Sequence, residues 1–262
     1  MAEQSVDILR RIASGGLAGA IAGILVAGVG GRLVMRAAAA LNPGATGART
    51  ENGELIGVVT ANGTLALLVF GGLIFGVIAG IVWVVVSPWL PGGRWRLPAS
   101  AVAATAIGAP LVVRSDNPDF RILAADGPIL AMLLGLVTLV GLAIAWLDGR
   151  LDRRLPRPGS TRLPLGLIYG VVTLFGLLFL PIAVGFYLSS ETCVCANPPS
   201  AIGLALLAVG GATAVTWANR IESGRSEPPP AVSAIGRLGL LAAVGLGTIR
   251  IADELARILA AG

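Results

Sequence analysis

A chain of 262 residues that is 55% hydrophobic and 13% charged lies far from a soluble domain, which carries about 25% charged residues. All 19 basic residues are arginine and histidine is absent. This excludes a lysine Schiff base, a Walker-type phosphate loop, histidine-ligated haem or zinc, and any histidine general base or triad. The net charge of +5 does not read as nucleic-acid binding. The arginines are dispersed between apolar runs, where positive charge sets orientation and touches anionic headgroups.

A helix needs roughly 20 apolar residues to cross a hydrocarbon core about 30 Å thick. The chain therefore reads as an all-α, polytopic transmembrane helical bundle forming a single integral membrane domain over 1–262. About seven spans are expected, at 12–36, 64–90, 97–113, 127–147, 163–188, 201–218 and 231–249. Six spans plus an interfacial C-terminal helix are the alternative.

The first apolar run, Ile12 to Gly31, is 20 residues long. A signal-peptide core is about 7–15, so the run reads as a retained first span. It carries Gly15, Gly19, Gly23, Ala27 and Gly31, a small residue at every fourth position. The second span carries Gly72, Gly76 and Gly80 with the same spacing. Residues four apart share a helix face, and small side chains let helices approach closely in lipid. Both stripes are expected to be packing faces, within the chain or between copies.

The first helix then presents Arg32 and Arg36, one turn apart. Arg11 to Arg32 is 21 residues, about 32 Å of helix, which puts the pair at the far membrane boundary. Two guanidinium groups this close repel unless an anion lies between them. The candidate neutralising partners are Asp116, Asp119, Glu51 and Glu54. Without them, the pair would contact an anion or a lipid headgroup. The loop from Asn42 to Gly63, rich in Gly, Thr and Asn, is expected to form turns or a short hairpin.

The third span is short. The fourth begins at ADGPIL, where Asp126 suits an N-cap and Pro128 the first turn. After it comes DGRLDRRLPRPGSTR, with five arginines in fifteen residues. This bias puts the N-terminus in the cytoplasm of a bacterial plasma membrane. DGRLD resembles one fragment of the aspartate-rich, magnesium-binding motifs of membrane prenyltransferases. That resemblance implies a diphosphate lipid substrate at Asp148 and Asp152. The second acidic cluster such enzymes need is represented only by Glu222 and Glu227, in a different arrangement. The plainer reading is charge flanking a helix end.

Pro181 should kink the fifth span. SSETCVCANPPS follows, with the only two cysteines, Cys193 and Cys195. A disulfide, free thiols or a soft-metal site all fit there, and Cys-x-Cys closes a small, strained ring. The last span contains Arg237 and continues as RIADELARILAAG. There Arg250 with Glu254, and Asp253 with Arg257, have the i,i+4 spacing of a helix with an exposed polar face.

Polar groups within the spans are sparse, chiefly threonines, and threonine can satisfy itself on its own helix backbone. No carboxylate lies at a span centre, against proton-coupled transport. No catalytic residue, metal site or cofactor is expected. The leading expectation is a non-catalytic subunit, stabiliser or assembly factor, with membrane lipids and other membrane-protein subunits as partners and no nucleic acid. The alternative is a transporter or channel for an anion or amphiphilic lipid, with Arg32 and Arg36 at its outer mouth. A membrane enzyme acting on a lipid carrier comes third.

Overall fold

The computed structural model describes residues 2–49, 55–117, 120, 126–156, 162–188, 200–224 and 227–261. Among them the secondary structure is helical, apart from turns and one isolated antiparallel bridge between Arg49 and Leu55. The helices are α1 (Ala2–Ala22), α2 (Val29–Leu41), α3 (Ala61–Ala66), α4 (Phe75–Val86), α5 (Arg96–Val112), α6 (Asp126–Arg154), α7 (Arg162–Leu177), α8 (Leu180–Leu188), α9 (Ser200–Ser223) and α10 (Pro230–Ala261). A π-helical segment, Gly23–Gly28, joins α1 to α2 without a break, and another, Leu67–Ile74, joins α3 to α4.

Six helices are long and apolar enough to cross a membrane: Glu3–Leu41, Ala61–Trp89, Gly127–Arg154, Pro164–Gly185, Ala201–Ser223 and Pro230–Ala260. The chain is a multi-pass membrane protein. In hydrocarbon every backbone polar group must be satisfied internally, and a helix does this within one segment.

The 17 residues of α5 cover only about 25 Å. It nevertheless reaches from one end of the bundle to the other. At its start Arg96 pairs with Asp148 of α6 at 3.4 Å. Just past its end the Ser115 N–H donates to Glu254 of α10 at 2.7 Å. Gly247 of α10 meets Ala106 of α5, so these two helices run parallel. Gly141 of α6 meets Ser100 and Ala104, so α5 and α6 run antiparallel.

Several helices run past the apolar stretches that mark them. The Asp148–Arg154 stretch, which reads as charge beyond a span, is the last part of α6. The α10 helix continues unbroken through RIADELARILAA. Its tail does not present a purely exposed polar face. Glu254 is only 3% exposed, and Ile258 packs with Val113 and Leu130. Near Pro181 the chain turns at Leu178 and Phe179 before α8, because proline cannot donate to the carbonyl four residues back. The Asn42–Gly63 loop folds back on itself through Gly47 N–H to Ile56 O (3.0 Å) and Ile56 N–H to Ala48 O (2.9 Å).

Candidate functional site

The contact between the first two long helices sets the geometry. A Cβ on Gly19 would lie 2.5 Å from Gly80 Cα, and one on Gly76 would lie 2.7 Å from Gly23 Cα. A Cβ on Gly23 would collide with the Gly72 carbonyl, and one on Gly15 would come within 2.5 Å of Val84 Cγ2. A Cβ on Gly72 or Gly80 would meet the backbone of the first helix at 3.1 Å and 2.9 Å. The two backbones therefore touch with no side chain between them.

This stripe does not continue with the same spacing. After Gly15, Gly19 and Gly23 the next glycine against the second helix is Gly28, which meets Leu68. The step grows from four residues to five across the π-helical segment. The expected continuation through Ala27 and Gly31 is corrected accordingly. A π turn takes more residues per turn than an α turn, so Gly28 takes the close position, while a Cβ on Gly31 would meet only the Leu67 side chain, at 3.5 Å. Ala27 and Gly31 also line a cavity.

That cavity holds about 450 Å³ and lies between the first helix, the second, α5 and α6, with Tyr187 of α8 on its wall. The lining is almost wholly apolar. One part of it is deeply buried, with Trp83, Ser100, Ala103 and Ile144 in its wall. Elsewhere Met35, Phe75 and Val112 are exposed, so the cavity reaches the bundle surface there. Tyr187 donates its hydroxyl to the Ile107 carbonyl at 3.1 Å, and Ser100 donates to Leu97 O at 2.7 Å. Trp83 Nε1 is buried and has no partner among the described residues. It differs from its neighbour Trp89, whose Nε1 donates to Thr213 Oγ1 at 2.8 Å. No motif in the sequence distinguishes the two indoles; only the packing does.

Below the closed part lies an ionic layer. Arg10, 2% exposed, pairs with Asp7 at 3.2 Å and with Asp152 at 2.8 Å, and donates to the Asp152 carbonyl at 2.8 Å. Asp7 also receives Arg220 at 2.9 Å and Arg11 at 3.3 Å. Ser14 donates to Asp148 Oδ1 at 2.8 Å. Arg96 lies over the Trp83 ring, 5.4 Å from its centroid. The Asp148 and Asp152 carboxylates of DGRLD are thus engaged by Ser14, Arg96 and Arg10. An arginine-filled carboxylate site disfavours the magnesium-diphosphate reading.

At the opposite end Arg32 turns to the second long helix. Its Nε and Nη2 donate to Thr64 Oγ1 at 3.2 and 3.0 Å, and Nη2 reaches the Thr60 carbonyl at 3.4 Å. Asp116 is not its partner, which corrects that candidate pairing. Asp116 is held by Arg114, whose Nε donates to Oδ1 at 2.9 Å. The bond from Arg114 holds the Asp116 carboxyl below its ordinary pKa. Arg36 is exposed and makes no hydrogen bond or ion pair among the described residues. Glu51, Glu54, Asp119, Cys193 and Cys195 lie outside the described residues.

The chain matches no protein-family model, no curated protein and no solved structure.

Proposed function

We propose that this protein takes the hydrocarbon part of an amphiphilic lipid into its helical bundle, without catalysis. The observation that carries this reading is the 450 Å³ apolar cavity, within the range of about 300–1,000 Å³ typical of small-molecule sites. Its open side, at Met35, Phe75 and Val112, would face bilayer hydrocarbon, so a lipid could enter without crossing water. Water is a poor occupant of the apolar wall, since it needs two to four polar partners. The lining contains no carboxylate or cysteine, and its one serine has no base beside it, which supports binding over turnover.

Arg32 and Arg36 do not line the cavity. On this reading they sit at the rim, where guanidinium groups attract anionic headgroups of the surrounding bilayer. The arginine-rich loops gathered at the N-terminal end support a cytoplasmic N-terminus in a bacterial plasma membrane.

A second reading, a subunit or stabiliser of a membrane complex, is favoured by the helix Pro164–Gly185. It is the least covered of the six long helices, and Leu167, Val171, Leu174 and Leu178 of its face are exposed. Mild-detergent purification followed by native mass spectrometry separates the two readings. Lipid adducts that survive collisional stripping are expected, and Ala27→Phe should remove them while the thermal transition remains. A folded, lipid-free native chain, or an unchanged adduct in Ala27→Phe, would overturn the lipid reading. Co-purification of a stoichiometric partner would establish the second.

A further inference from the structure

We infer that the occupant enters polar end first and that the Trp83 indole donates a hydrogen bond to a neutral acceptor oxygen on it. The ligand class is a lipid-soluble molecule with a carbonyl-bearing head, such as a quinone ring, and a hydrocarbon tail. This deepens the lipid-binding reading and rests on it.

The argument begins with the donor. A buried indole N–H ordinarily finds an acceptor, and leaving one without costs more than a made bond gains. Trp83 is 6% exposed, lines the cavity and has no partner among the described residues, whereas Trp89 has one in Thr213. The cation above the Trp83 ring, Arg96, has only donors and cannot supply an acceptor. It also polarises the indole so that an acceptor on Nε1 is favoured.

The polar groups of the wall also give the orientation. Trp83 and Ser100 are both buried deep in the wall, and because the Ser100 hydroxyl already donates to Leu97 O, the indole is the donor left there for an acceptor oxygen. Phe75, on the exposed side, lies eight residues before Trp83 on the same helix, about 12 Å along the axis. Between them the lining offers only apolar side chains and glycine, which suits a tail. A neutral head fits because no charged residue lines the cavity and Arg96, the cation over the Trp83 ring, is already paired with Asp148.

The test uses the full-length protein in detergent with two probes, a decyl-substituted benzoquinone and decylbenzene, which lacks the oxygens. Binding is read by native mass spectrometry at graded probe concentrations. The native protein should prefer the quinone. Trp83→Phe, which keeps a ring and loses the N–H, should weaken quinone binding about tenfold and leave decylbenzene unchanged. Trp89→Phe should not alter the preference.

Equal affinity of the native protein for both probes would overturn the proposal even if Trp83→Phe failed to fold. So would an unaltered preference in Trp83→Phe, which would mean that water alone satisfies the indole. Retained cellular lipid without any quinone binding would overturn this inference and leave the broader reading intact. Loss of both would remove the two together.

Discussion

The two ends of the bundle use arginine in opposite ways. At the N-terminal end local ion pairs are joined by others between residues far apart in sequence. Arg10 reaches Asp152, and Asp7 reaches Arg220, so α1, α6 and α9 are cross-braced. At the other end the described ion pairs are all local in sequence, although Glu254 also accepts from the distant Ser115 N–H. Arg114 holds Asp116, Arg250 holds Glu254 and Arg257 holds Asp253. Arg32 is left to a hydroxyl and a carbonyl, and Arg36 to neither. One end is therefore locked by tertiary charge pairing. At the other end Arg32 has only uncharged partners and Arg36 none among the described residues, beside Gly31 and Met35 of the cavity wall.

The sharpest way to break this contrast is to unlock the braced end. Arg10→Ala removes the buried guanidinium that ties Asp7 to the partly exposed Asp152 and should destabilise the protein by about 2–3 kcal/mol, measured as a lowered unfolding midpoint in detergent. A change within error would mean that the braces are ornamental. Next comes Glu254→Gln, which keeps an acceptor for the Ser115 N–H and removes the charge facing Arg250. A loss of about 1–2 kcal/mol is expected. A larger loss would show that the far end is braced as firmly as the near one.

Arg32→Gln should cost under about 1 kcal/mol, because its described partners, the Thr64 hydroxyl, the Thr60 carbonyl and the Met35 sulfur, are all uncharged. Arg36→Gln should leave the midpoint unchanged and reduce the protein's preference for vesicles containing anionic lipid. The reverse pattern, with stability lost and lipid preference kept, would place Arg36 among the structural arginines. Acid gives the smallest effect. The Asp116 carboxyl titrates below its usual range in the folded chain. Its contribution to stability is thus complete above the ordinary carboxylate range and fades as pH falls through it. Asp116→Asn should flatten that part of the acid transition slightly.

Apolar run length and glycine spacing made the helical bundle and the first two packing partners legible in the sequence. Both rest on local regularities, the roughly 20-residue span and the four-residue face. What stayed hidden was tertiary or broke that regularity. The sequence shows Asp7, Arg10, Asp152 and Arg220 as loop-flanking charges, and only folding brings them together. The helices run on past the ends of the apolar runs, because backbone hydrogen bonding does not stop where hydrophobicity does. Trp83 and Trp89 lie six residues apart with similar neighbours, yet one indole is satisfied and the other is not. The five-residue step from Gly23 to Gly28 is invisible to any count based on a uniform helix.

That step makes α2 depend on its phase. In an α-helix each residue turns the following chain by about 100°. Deleting one residue between Gly23 and Gly28 would restore a four-residue step of ordinary helix and keep Gly28 and Arg32 in phase. Inserting one further residue after Gly23, with no second π turn to absorb it, would rotate everything after it. Ala27 and Gly31 would leave the cavity wall, larger side chains would enter it, and Arg32 would swing away from Thr64. A single-residue insertion with no change in hydrophobicity would close the chamber and move the rim charges together, as a key cut one notch out of register turns no lock.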